Sequence, residues 1–142
     1  MIVYVLWGKD VTPEDFKVFA DGNEAQKSIS TFDKEGTRFE LIRVYESDFD
    51  FFVETENNFY QVYNSADRTF AFFKHKKEAY DFAIAAATQY YKIPQSYADD
   101  SFTQIGFCGG IFVDPMSFYD RGGTFGVDTN GYRIFPDEYY KD

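Results

Sequence analysis

Asn58–Tyr91, NFYQVYNSADRTFAFFKHKKEAYDFAIAAATQYY, is the stretch whose reading decides the fold. Tyr60–Tyr63 and Thr69–Phe73 are short runs of aromatic and β-branched residues, the composition of strands. Between them Asn64-Ser65-Ala66-Asp67 is a turn cluster. After Lys74 the period changes. Ala79, Phe82, Ala83, Ala86 and Tyr90 recur at the spacing of one helical stripe, the stripe expected to be buried. Pro94 stops that helix, and Lys92 suits the negative end of its dipole. The stretch reads strand, turn, strand, helix.

Working outward, a second copy lies upstream. FKVFADGNEAQKSI from Phe16 aligns without gaps on FAFFKHKKEAYDFA from Phe70, so that Glu24-Ala25 falls on Glu78-Ala79 and Val18-Phe19 on Phe72-Phe73. Around it, Ile2–Trp7 is apolar on both faces, as in a central strand. Asp15–Ala20 makes a second strand, with Phe16, Val18 and Ala20 on one face. Asp21 and Glu24 have the spacing of a capping box for a short helix with an Ala25, Ile29, Phe32 stripe, ending near Gly36. Thr37–Tyr45 is a third strand. Neither ββα unit can bury its helix stripe alone, which predicts an α+β fold in which both units share one mainly antiparallel sheet, helices on one face.

The chain is expected to form one domain, residues 1–142, in four parts. Residues 1–45 are the first ββαβ unit, 46–57 an acidic–aromatic connector, 58–92 the second ββα unit, and 93–142 a section rich in glycine and aromatics. In that last section residues 93–125 hold Gly106, Gly109, Gly110, Gly122 and Gly123 without clear periodicity, and read mostly as loop with short strands. Phe125–Thr129 and Tyr132–Phe135 flank Asn130-Gly131, the preferred two-residue hairpin turn, which would set Asp128 opposite Arg133.

The composition narrows the function. The formal net charge is −10, and it is unevenly spread: residues 1–66 carry 13 acids and 6 bases, residues 67–92 carry 3 and 5, and residues 93–142 carry 8 and 3. Such a field disfavours direct binding to nucleic acid or anionic membrane and favours fast encounter with a basic protein. It also serves plain solubility. Phe, Tyr and Trp make up 22% of the chain, more than one small core needs, so some rings are expected at the surface as contact area. The single Cys108 excludes an internal disulfide and suits a reducing compartment. With no signal peptide or membrane-length run visible, a cytoplasmic location is expected, in a bacterial cell or a phage-infected host.

Two clusters stand out as candidate sites. Asp48, Asp50, Glu54 and Glu56 alternate with Phe49, Phe51 and Val53, and Asp99-Asp100 follow Tyr97 further on. Carboxylates two apart along a strand repeat every ~6.6 Å, a line of negative charge beside rings that supply contact area. The expected partner-binding residues are Asp48, Asp50, Phe51, Glu54, Glu56, Asp99 and Asp100, although an ordinary solvated hairpin has the same look. The other cluster is Lys74-His75-Lys76-Lys77 at the start of the second helix. Cations there oppose the helix dipole, and with free backbone N–H groups they can hold a phosphate or carboxylate. A solvated turn is the plainer reading.

Other chemistry finds little support. Cys108 has only one histidine in the chain, His75, to serve as its base, and nothing brings them together. One Cys and one His do not furnish a zinc site. Asp128-Thr129-Asn130-Gly131 lacks the first carboxylate of a calcium loop, and Arg121–Gly126 lacks the Gly-Lys-Ser/Thr of a P-loop. No cofactor or metal is expected. In charge and size the profile resembles small acidic inhibitors, such as phage anti-defence proteins and bacterial immunity proteins against cationic toxins. That resemblance implies a non-catalytic protein that blocks or regulates a basic macromolecule, as a nucleic-acid decoy does. The alternative is an anionic small molecule or nucleotide held at Lys74–Lys77.

Overall fold

Both predicted ββα units form, and each lies in its own sheet rather than sharing one. The computed structural model describes residues 2–33, 37–46, 58–120, 126–127 and 133–134. They fall into two compact units, Met1–Asn58 with Met116–Lys141, and Phe59–Pro115. The fold is α+β, with antiparallel sheets and helices packed against them.

In the first unit β1 (Ile2–Gly8) is central, between β2 (Lys17–Phe19) and β3 (Phe39–Tyr45), both antiparallel to it. Its apolar run is used on both faces. Tyr4 and Leu6 meet α1 (Gly22–Phe32) in a core with Phe19, Ala25, Ile29 and Phe32, while Val3 and Val5 are buried on the opposite face. Val5 is flanked by Val18 on β2 and Ile42 on β3, a row of β-branched side chains suited to the pleat. The second strand is shorter than expected, because Pro13–Asp15 takes a 3-10 turn that Pro13 favours at its start.

The second unit repeats this order with an insertion. β4 (Asn58–Asn64) and β5 (Thr69–Phe73) pair as a hairpin that leads into α2 (Lys76–Tyr91). The strands and helix starts correspond at the sequence offset of the alignment: Gly22 opens α1 as Lys76 opens α2, and Asp21 and His75 are the respective N-caps. Where the first unit proceeds directly to its third strand, the second adds α3 (Gln95–Ile105) and β6 (Phe107–Cys108) before β7 (Ile111–Ser117) completes the set beside β4. Thus β2-β1-β3 corresponds to β5-β4-β7, with β6 outermost.

Residues 95–117 therefore correct the expectation of loop. The stripe of α3 is only Ala98 and Phe102, both fully buried, too sparse for the periodicity to register. Gly106, with φ +67°, ends α3 in the left-handed conformation glycine adopts at no steric cost, and its carbonyl accepts from Val113 N–H at 2.7 Å. The stripe of α2 keeps its expected Ala79, Ala83 and partly buried Ala86 but not its rings. Ala79, Ala83 and Ala87 face the sheet, whereas Phe82 and Tyr90 are exposed. Alanines let the helix lie close over Tyr60, Val62, Ile111 and Val113.

The other face of this sheet absorbs many of the surplus rings. Phe72, Phe70, Tyr63, Phe112 and Phe107 run from β5 through β4 and β7 to β6, with neighbouring centroids 4.7–6.4 Å apart. Others reach solvent, Tyr45, Tyr90 and Tyr97 most fully.

At the end of the chain β8 (Gly126–Val127) pairs antiparallel with β9 (Arg133–Ile134). The partner of Arg133 is Val127, not Asp128. Five residues separate that pair, one more than a two-residue turn and one further pair would leave, so the register differs by one from that expected of an Asn130-Gly131 turn. The turn residues themselves lie outside the described residues.

Candidate functional site

The start of α2 is built by the β5–α2 turn. His75 is the N-cap with no side-chain bond to the helix, in contrast to Asp21, whose Oδ1 accepts from Asn23 and Glu24 N–H at 2.8 and 3.1 Å. The expected capping box of α1 is therefore one-sided. Its other half is taken by Asp120, whose carboxylate accepts from Ala20 N–H at 3.0 Å and from Asp21 N–H at 2.7 Å. One helix start is thus closed by carboxylates and the other is left basic.

Beside the basic start lies a hollow of about 550 Å³. Among the described residues His75, Lys76, Lys77, Glu78, Tyr80 and Thr103 line it, so α3 contributes as well as α2. The cations are partly engaged. Lys77 Nζ is 2.8 Å from Asp81, one turn on, and that bond raises the lysine pKa. Lys76 Nζ stands 5.9 Å from the centre of the Tyr80 ring. Burial raises the Tyr80 phenol, and the Asp114 carboxylate adds to the shift. Ammonium groups and a phenol at a helix start suit an anion with several oxygens, whereas the Thr103 hydroxyl, which donates to the Asp99 carbonyl at 2.8 Å, adds no donor.

The acidic candidates divide. Asp48, Asp50, Phe51, Glu54 and Glu56 lie outside the described residues. Asp99 and Asp100 are exposed on α3, and neither carboxylate is ion-paired to a described residue. What sequence reasoning missed is that α3 runs beside α2 and brings Asp99 to a groove that also holds Asp81. Nothing marked Asp81 in the sequence, because its role depends on a helix that the periodicity did not reveal.

Two other possibilities end here. Cys108 is buried in the helix–sheet core while His75 is exposed, so the two do not form a nucleophile–base pair. A ring-bearing antiparallel sheet can stack unpaired bases, but on that face of the second sheet Phe59, Tyr63 and Phe72 are buried, and among the described rings there Phe107 on the outermost strand is the exposed one. Among the described residues no group of three or more His, Cys, Asp or Glu is placed to hold a metal ion, and no helix is long and apolar enough to cross a membrane. No protein-family model, curated protein or solved structure matches the chain.

Proposed function

We propose that this is a non-catalytic acidic binding protein that blocks or regulates a basic macromolecular partner, such as an enzyme whose cationic channel holds nucleic acid. The observation that carries the reading is the net charge of −10 on 142 residues. A charge of that size raises the encounter rate with a cationic surface and suppresses association with anionic ones. On α3, exposed Tyr97 and Asp100 stand three residues apart on one face, a pairing of ring and carboxylate like that which the sequence carries at Asp48–Glu56. Rings of this kind hold a complex once charge has brought it together.

The test is association kinetics across salt concentrations against the partner recovered from the native host. A basic partner whose association slows steeply with salt supports the reading. An acidic partner, or an association rate indifferent to salt, overturns it and leaves the charge as a device for solubility.

The hollow at the start of α2 favours a second reading, binding of a nucleotide or other phosphate. A panel of nucleotides and inorganic phosphate, screened by thermal shift, checks it. A ligand at one hundred times its Kd stabilises by about 2.7 kcal/mol. That gain is expected to vanish in the Lys76→Glu, Lys77→Glu double variant, and a panel without any shift refutes the site.

A further inference from the structure

We propose that the groove between α2 and α3 is the surface that seats a lysine- or arginine-bearing segment of the basic partner; the inference rests on the acidic-binding reading and names its contact face. The groove has a volume of about 520 Å³. Asp81 on α2 and Asp99 on α3 supply carboxylates to its walls, and Ile84 with Ala85 supplies an apolar part. The remaining described lining is neutral and polar: Thr88, Gln89 and Gln95. Thr88 Oγ1 donates to the Ile84 carbonyl at 2.9 Å, so its free capacity is as an acceptor. No lysine, arginine or histidine is among the described residues that line the groove.

This combination matches one kind of side chain. Lysine and arginine lay an alkyl stem along apolar surface and keep the charged head among acceptors. Arginine fits better, since its planar fork can take a carboxylate and an amide oxygen together. The protein already shows a cation at one wall, Lys77 on Asp81 at 2.8 Å. That pair is exposed on both sides, so an incoming guanidinium displaces it at little cost. A divalent metal ion is a poorer fit, because it asks for six or more converging oxygens.

The experiment uses the full chain labelled with nitrogen-15 and titrated with a capped tetra-arginine peptide, at low and at physiological salt, with a capped Gly/Ser peptide of equal length as control. The expected result is salt-sensitive amide shifts concentrated in residues 81–89 and 95–99. Asp81→Asn with Asp99→Asn should weaken binding by about tenfold. Asp10→Asn, in the turn after β1 and outside the groove, should leave it within about twofold. All three positions are exposed, and unchanged thermal unfolding confirms that the variants fold. Shifts centred on other acidic positions, with the double variant binding as wild type does, overturn the groove and leave the acidic-binding reading standing. Absence of any salt-sensitive shift overturns both.

Discussion

Asp120, which nothing in the sequence marks, takes as many backbone N–H groups as the N-cap Asp21. Its carboxylate takes two backbone N–H groups, those of Ala20 and Asp21, where the chain turns from β2 into α1. Asp120→Ala should lower stability in urea by about 1.5–3 kcal/mol, the usual value for hydrogen bonds to a charged group, and Asp120→Asn should recover part of it. Equal midpoints for wild type and Asp120→Ala would show the contact to be idle. Tyr80 gives a prediction in pH. Its phenol is held above the ordinary value of 10.0 by burial first and by Asp114 second, so the fold favours the neutral ring. The resulting stability is present below the unfolded pKa and is lost as pH rises through the folded one. Urea midpoints followed across about pH 9–11 should therefore fall less steeply for Tyr80→Phe than for wild type.

The elements teach where the pattern could be read and where it could not. The hairpin β4–β5 and the onset of α2 follow from alternation, turn residues and the change of period, all local signals. So does the match between the two units, because it compares residues already in register. The expected stripe of α2 holds at Ala79 and Ala83 and fails at its rings: Phe82 and Tyr90 are exposed, and close packing adds Ala87 instead. This separates two neighbours experimentally. Ala83→Asp puts an unpaired carboxylate at a fully buried site and should cost more than about 3 kcal/mol, enough to unfold the unit. Phe82→Ala loses mainly the ring contact with Phe73 at 5.2 Å and should cost only about 1 kcal/mol. Circular dichroism melts of the two variants decide it; comparable losses would restore Phe82 to the core. The groove was hidden for a related reason. The sequence offers Asp99 as a partner-binding acid, but its place in a groove with Asp81 follows from α3, whose two-residue stripe gives little to read.

At the level of the whole molecule the charge acts as a field rather than as a set of contacts. At physiological salt the screening length is about 8 Å, so raising salt to that level should slow association while leaving dissociation nearly unchanged. Reversing charge with Asp48→Lys and Asp50→Lys should reduce the association rate in the same way, measured by stopped-flow against the recovered partner. An association rate untouched by both would defeat steering as the purpose of the acids.

The first unit is discontinuous along the chain, and that has a consequence in time. The described residues of the second unit, Phe59–Pro115, are one uninterrupted segment, whereas β2 and the start of α1 are completed by Phe118–Asp120. Ala20 and its acceptor Asp120 are 100 residues apart, so at about 5–20 residues per second a ribosome takes roughly 5–20 s to supply one after the other. For that interval Asp21 alone caps the first turn of α1. The half of the protein that is made first is the half that is finished last.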